Sequence, residues 1–153
     1  MKSILTSLLL LTSLLSLSQI EVKETKAPVT VTIGRYKYSD FNKGALEYFI
    51  NDNDTSIAIT YYNQKYPTLK DQKFVLFKGG AKDVNQLYTI FSSFYSEENK
   101  AKESYQLEFK LGKTDVTLTK RKKLIDFSTK EGYFVINQDN VETMFGKRAC
   151  VCK

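Results

Sequence analysis

From Val29 the chain alternates between apolar and polar positions. Val29, Val31 and Ile33 fall on one side of a two-residue period and Thr30 and Thr32 on the other, and "GRYKYS" extends the same run. β-Branched residues at that period predict a half-buried strand starting just after Pro28. Asn42-Lys43-Gly44 reads as a turn; Leu46, Tyr48 and Ile50 then alternate as far as "NDND", a second turn, and "TSIAITYYN" returns as a strand. Ala45 to Ile50 also suits a short helix capped by Ser39 or Asp40, so both readings stand there. A loop containing Pro67 leads to "KFVLFKGG", a short apolar strand stopped by two glycines.

The period then changes. Val84, Leu87, Tyr88, Phe91, Phe94 and Tyr95 recur at spacings of three and four, with Lys82, Asp83, Asn85, Gln86 and Ser92 on the opposite side. That is an amphipathic helix laid on a sheet, ending near "SEENKAKES". Period two resumes in Tyr105, Leu107, Phe109 and Leu111, turns at "GKTD", and continues through Val116 and Leu118. "LIDFSTK" and "YFVIN" flank the turn "KEG" as another pair of strands. In "QDNVETMFG", Val141, Met144 and Phe145 share a face and Gly146 ends a short helix. Strands joined by turns around one good helix predict an α+β fold. The expected form is one curled antiparallel sheet of about seven or eight strands gripping the Val84 to Tyr95 helix, with a short C-terminal helix. No internal repeat is visible.

The first residues change the picture of where this domain works. "MKSILTSLLLLTSLLSLSQ" has one positive charge at Lys2, an apolar run from Ile4 to Leu17 and small residues at Ser16 and Ser18. The run is roughly 14 residues, short of the ~20 a membrane-spanning helix needs. It reads as a secretory signal cleaved after Ser18, with no transmembrane segment left afterwards. This leader resembles those of exported proteins of some Gram-negative bacteria, small α+β proteins among them. The resemblance covers the leader alone and implies a periplasmic or extracellular destination. The chain then divides into a signal peptide at 1–18, a flexible lead-in at 19–27, one α+β domain at 28–146 and a basic, cysteine-bearing tail at 147–153.

Charge and chemistry narrow the function further. The formal net charge is +6 and falls to +5 once Lys2 leaves with the leader. A basic exported protein meets anionic lipid headgroups, acidic polysaccharide or acidic proteins rather than nucleic acid. The densest positive cluster is "KRKK", Lys120, Arg121, Lys122 and Lys123, expected at a turn with its charges in solvent as candidate contacts to an anionic partner. The chain contains no histidine, and no nucleophile elbow, phosphate loop or metal-ligand spacing appears. No cofactor is therefore expected. Asp52 and Asp54 resemble half a calcium loop but lack its glycine and closing glutamate, so a hairpin turn is the better reading. Asn53-Asp54-Thr55 matches a glycosylation sequon, of consequence only in a eukaryotic source. "KGGAK" at the start of the main helix offers amides to an anion, but strand-to-helix turns use glycine for their own sake.

Ten tyrosines and ten phenylalanines are too many for one core. Tyr36, Tyr38, Tyr61 and Tyr62 are candidate surface aromatics, since adjacent positions cannot all point inward. Cys150 and Cys152, in an oxidising compartment, admit four readings: a strained bridge to each other, a pair of soft-metal thiolates, a link between molecules, or a loose tail without an essential role. The expected function is a non-enzymatic exported domain that binds a protein or envelope component through a tyrosine-bearing sheet face and a basic turn. A small-ligand carrier is the alternative, and a hydrolase a third.

Overall fold

The computed structural model describes residues 27–40, 42–52 and 54–149. The strands are β1 (Val29–Ser39), β2 (Asn42–Asn51), β3 (Asp54–Tyr62), β4 (Gln72–Lys78), β5 (Gln106–Leu111), β6 (Thr114–Arg121), β7 (Leu124–Thr129) and β8 (Gly132–Asn137). The helices are α1 (Ala81–Ser93), α2 (Glu97–Ala101) and α3 (Gln138–Met144), with a single 3-10 turn at Pro67–Leu69. The class is α+β, as expected. The single curled sheet is not what forms: there are two four-stranded antiparallel sheets, β1-β2-β3-β4 and β5-β6-β7-β8. In chain order this is four strands and a helix, then, after the short α2, four strands and a helix again.

The ambiguous Ala45 to Ile50 stretch is strand, paired with β3 from Gly44 opposite Tyr61 to Asn51 opposite Asp54. Asn42, Lys43 and Gly44 belong to β2 rather than to a turn. Gly44 is glycine for a packing reason: a Cβ there would lie 2.7 Å from the Thr60 carbonyl oxygen and 2.8 Å from Cε1 of Tyr36. The β2–β3 connection is a hairpin, with Asp52 in the left-handed region at φ 49° and Asp54 ion-paired to Lys78 at 2.6 Å. Residues 1–26, Asn53 and the Cys150 and Cys152 pair lie outside the described residues.

One apolar core joins both sheets and the helices. It takes Leu46, Ile57, Ile59 and Val75 from the first sheet, Leu118, Phe127, Phe134 and Ile136 from the second, Leu87 and Phe91 from α1, and Val141 and Met144 from α3. Phe127 stacks on both Phe91 and Phe134, at centroid distances of 6.1 and 4.8 Å. A polar latch closes one margin of the core. Buried Asn63, just after β3, donates from Nδ2 to Asp71 Oδ2 and the Glu131 carbonyl, and its Oδ1 accepts from the amides of Lys65 and Tyr133. Gly132 makes room for it, since a Cβ would stand 2.4 Å from Asn63 Cγ.

Candidate functional site

The "KRKK" run sits at the β6–β7 hairpin, where Arg121 pairs with Leu124 and Lys122 and Lys123 form the loop. Its four charges do not act together, contrary to the expectation that all would project into solvent. β6 is buried at Val116 and Leu118, so the two-residue period points Lys120 inward. Its Nζ donates to the carbonyls of Asn99 at 2.9 Å, Lys100 at 2.6 Å and Lys102. These are the unsatisfied carbonyls at the end of α2, and a cation there also faces the negative end of the helix. Arg121 is exposed and forms a 2.5 Å ion pair with Asp126. Burial pushes the Asp126 carboxyl above its ordinary range, and the Arg121 guanidinium offsets part of that shift. Lys120 and Arg121 are therefore committed to the fold.

Lys122 and Lys123 are not. Neither makes an ion pair among the described residues, and Lys122 holds the left-handed conformation at φ 56°. Both line an open cleft of about 550 Å³ together with Lys100. Its apolar side is built from Phe94 and Tyr95 at the end of α1, its opposite side from Asn137, Gln138 and Asp139 at the start of α3. The Tyr95 hydroxyl donates to the Ile136 carbonyl, and burial raises its pKa, so the phenol stays neutral. Asp139 is ion-paired to Arg148 at 2.5 Å and Lys100 to Glu97 at 2.7 Å. With those pairs formed, the cleft keeps the charge of Lys122 and Lys123 over an aromatic wall. The two ammonium groups suit it to an anionic group.

The tyrosines divide. Tyr36 and Tyr61 are 2 % and 1 % exposed and belong to the core, which corrects their assignment to the surface. Tyr38 is 70 % exposed. Tyr62 is half-buried on the outer face of the first sheet, with the Lys43 ammonium 4.6 Å from its ring centroid. At the "KGGAK" turn, Asp83 Oδ2 accepts the Gly80 amide at 2.8 Å, so a carboxylate of the helix itself occupies the position an external anion would take. Sequence reasoning did not place Lys100 with the hairpin lysines. The cleft is made by the α1–α2 connection, which brings Lys100 beside a turn twenty-two residues further on. No family model, curated protein or solved structure matches this chain when it is compared with them.

Proposed function

We propose that this is an exported, non-catalytic binding domain whose lysine cleft holds an anionic group of a protein or envelope component. One observation carries the reading: Lys122 and Lys123, without ion pairs among the described residues, face one open cleft beside Phe94 and Tyr95, while the adjacent Lys120 and Arg121 are spent on structure. Lys122 takes the left-handed conformation that a two-residue hairpin needs at its first position, and both loop lysines are exposed at the tip. The cleft is open, which suits a surface or polymer better than an enclosed small molecule.

The test is adsorption of the secreted protein to anionic phospholipid vesicles and to an acidic polysaccharide over a salt series. A double variant, Lys122→Asn with Lys123→Gln, keeps a residue that tolerates the left-handed conformation. Wild type should bind at low salt and release as screening shortens the reach of the charges to about 8 Å near 0.15 M. The variant should bind at least tenfold more weakly with an unchanged melting temperature. Equal adsorption by both would remove the cleft from the reading. The export component is tested apart, by intact mass of secreted material, expected to begin at Gln19.

A further inference from the structure

The outward faces of the two sheets differ in kind. On the second sheet the outward positions of β5 and β6 are Gln106, Glu108 and Lys110, and Asp115, Thr117 and Thr119, an ordinary solvated surface. The first sheet carries Phe74 and Leu76 on the same face of β4, 67 % and 50 % exposed. β4 is an edge strand. Beside this ridge the strand positions shrink: Thr60 lies opposite Phe74, Ala58 opposite Leu76, and Ser56 one step further along β3. The result is a hollow of about 560 Å³, floored by Ser56, Ala58 and Thr60 and walled by Phe49 and the ridge.

We propose that this face is the interface of a two-fold dimer, in which Phe74 and Leu76 of each copy enter the hollow of the other. The face carries both the projection and the recess that accepts it. A two-fold axis running along the strands between β3 and β4 brings each ridge over the other copy's small residues, which is the self-complementarity a two-fold interface requires. The rim calls for no external charge, because Arg35 pairs with Glu47 at 2.9 Å and Lys78 with Asp54 at 2.6 Å. A flat lipid surface would not fill a hollow, whereas a second sheet packs at ~10 Å with interdigitating side chains. Four strands of 11, 10, 9 and 7 residues make a face of roughly 19 Å by 30 Å at its longest. That is somewhat under the ~800 Å² per partner of a standard interface, which places the dimer among the weaker, reversible ones. The proposal is independent of the lysine cleft.

Sedimentation velocity of the secreted protein from about 1 to 500 µM, with reductant present so that Cys150 and Cys152 cannot link copies, reads the equilibrium directly. Phe74→Ala removes the projection and Thr60→Phe fills the recess; each should weaken dimerisation at least tenfold. Mixed together, the two variants should recover a heterodimer, since the intact Phe74 of one enters the intact hollow of the other while the shortened position meets the filled one. Should Thr60→Phe lower the melting temperature, Ser56→Phe fills the same recess. A wild-type chain that stays monomeric throughout, a dimer indifferent to both variants, or a mixture that fails to recover would each overturn the proposal.

Discussion

Replacing Lys120 with methionine keeps most of the apolar stem and removes only the ammonium that gathers three carbonyls at the end of α2. A net hydrogen bond to a charged group contributes ~1.5–3 kcal/mol. The three here share one half-buried donor, and the freed carbonyls of Lys100 and Lys102 regain water, so the set should contribute about 3 kcal/mol rather than the sum of three full bonds. For a domain of this size that corresponds to a fall in melting temperature of about 10 °C. The chain has no tryptophan, so urea unfolding is followed by far-ultraviolet circular dichroism and tyrosine emission. The control is the Lys122→Asn and Lys123→Gln double variant, two charges from the same run that make no ion pair among the described residues and should change stability by no more than ~0.5 kcal/mol. If Lys120→Met lost no more than that control, Lys120 would be another solvated charge and the separation of the cluster into structural and presenting halves would fail.

Gly132→Ala should cost about 2–4 kcal/mol by driving a Cβ into the buried Asn63 amide, read as a lower urea midpoint with an unchanged m-value. Tyr36→Phe should stabilise by about 1 kcal/mol, because its buried hydroxyl finds no partner among the described residues. Tyr61→Phe should destabilise instead, since that hydroxyl is bonded to Thr129 Oγ1 at 3.2 Å; equal effects of the two would refute the contrast. The stability of Asp126→Asn relative to wild type should rise from pH 4 to pH 7. A carboxyl whose pKa is raised on folding stabilises the native state below its unfolded value near 3.9 and loses that contribution as pH climbs through the folded value, whereas the asparagine does not titrate, so the difference between variant and wild type should move against the variant on acidification toward pH 4. A difference that moved in favour of the variant on acidification would reverse the assignment.

Periodicity carried much of the fold because it reports which residues face inward. α1 and the β5–β6 hairpin were legible for that reason, with their apolar positions recurring over several turns or pleats. Period two does not say which sheet a strand joins, and the division into two sheets falls between β4 and β5, where α1 and α2 hide it. The misplaced Tyr36 has a specific cause. A bulge between Thr32 and Gly34 shifts the register of β1 against β2, so the face occupied by Val29 and Val31 passes to Gly34 and Tyr36 instead of Arg35 and Lys37. The role of Lys120 was written in the pattern, two residues beyond Leu118 on the inward side of β6. Helix α2 also had a signal: Ser96 caps the Asn99 amide, and Glu97 and Glu98 fill the first turn. The cleft was not legible, because nothing in the linear order announces that Lys100 will stand beside Lys122 and Lys123.

Every strand pairing described here joins neighbours in sequence, so neither sheet waits for a distant partner and the loop-closure entropy of each pairing is small. The Asn63 latch is different: it reaches Tyr133 across 70 positions of chain. During synthesis from the N-terminal end, the first meander and α1 can assemble while the second is still arriving, and Asn63 cannot meet Gly132 and Tyr133 until β8 is in place. The latch should therefore close late, after the rate-limiting barrier. Loosening it should speed unfolding while leaving the refolding limb of a chevron almost unmoved.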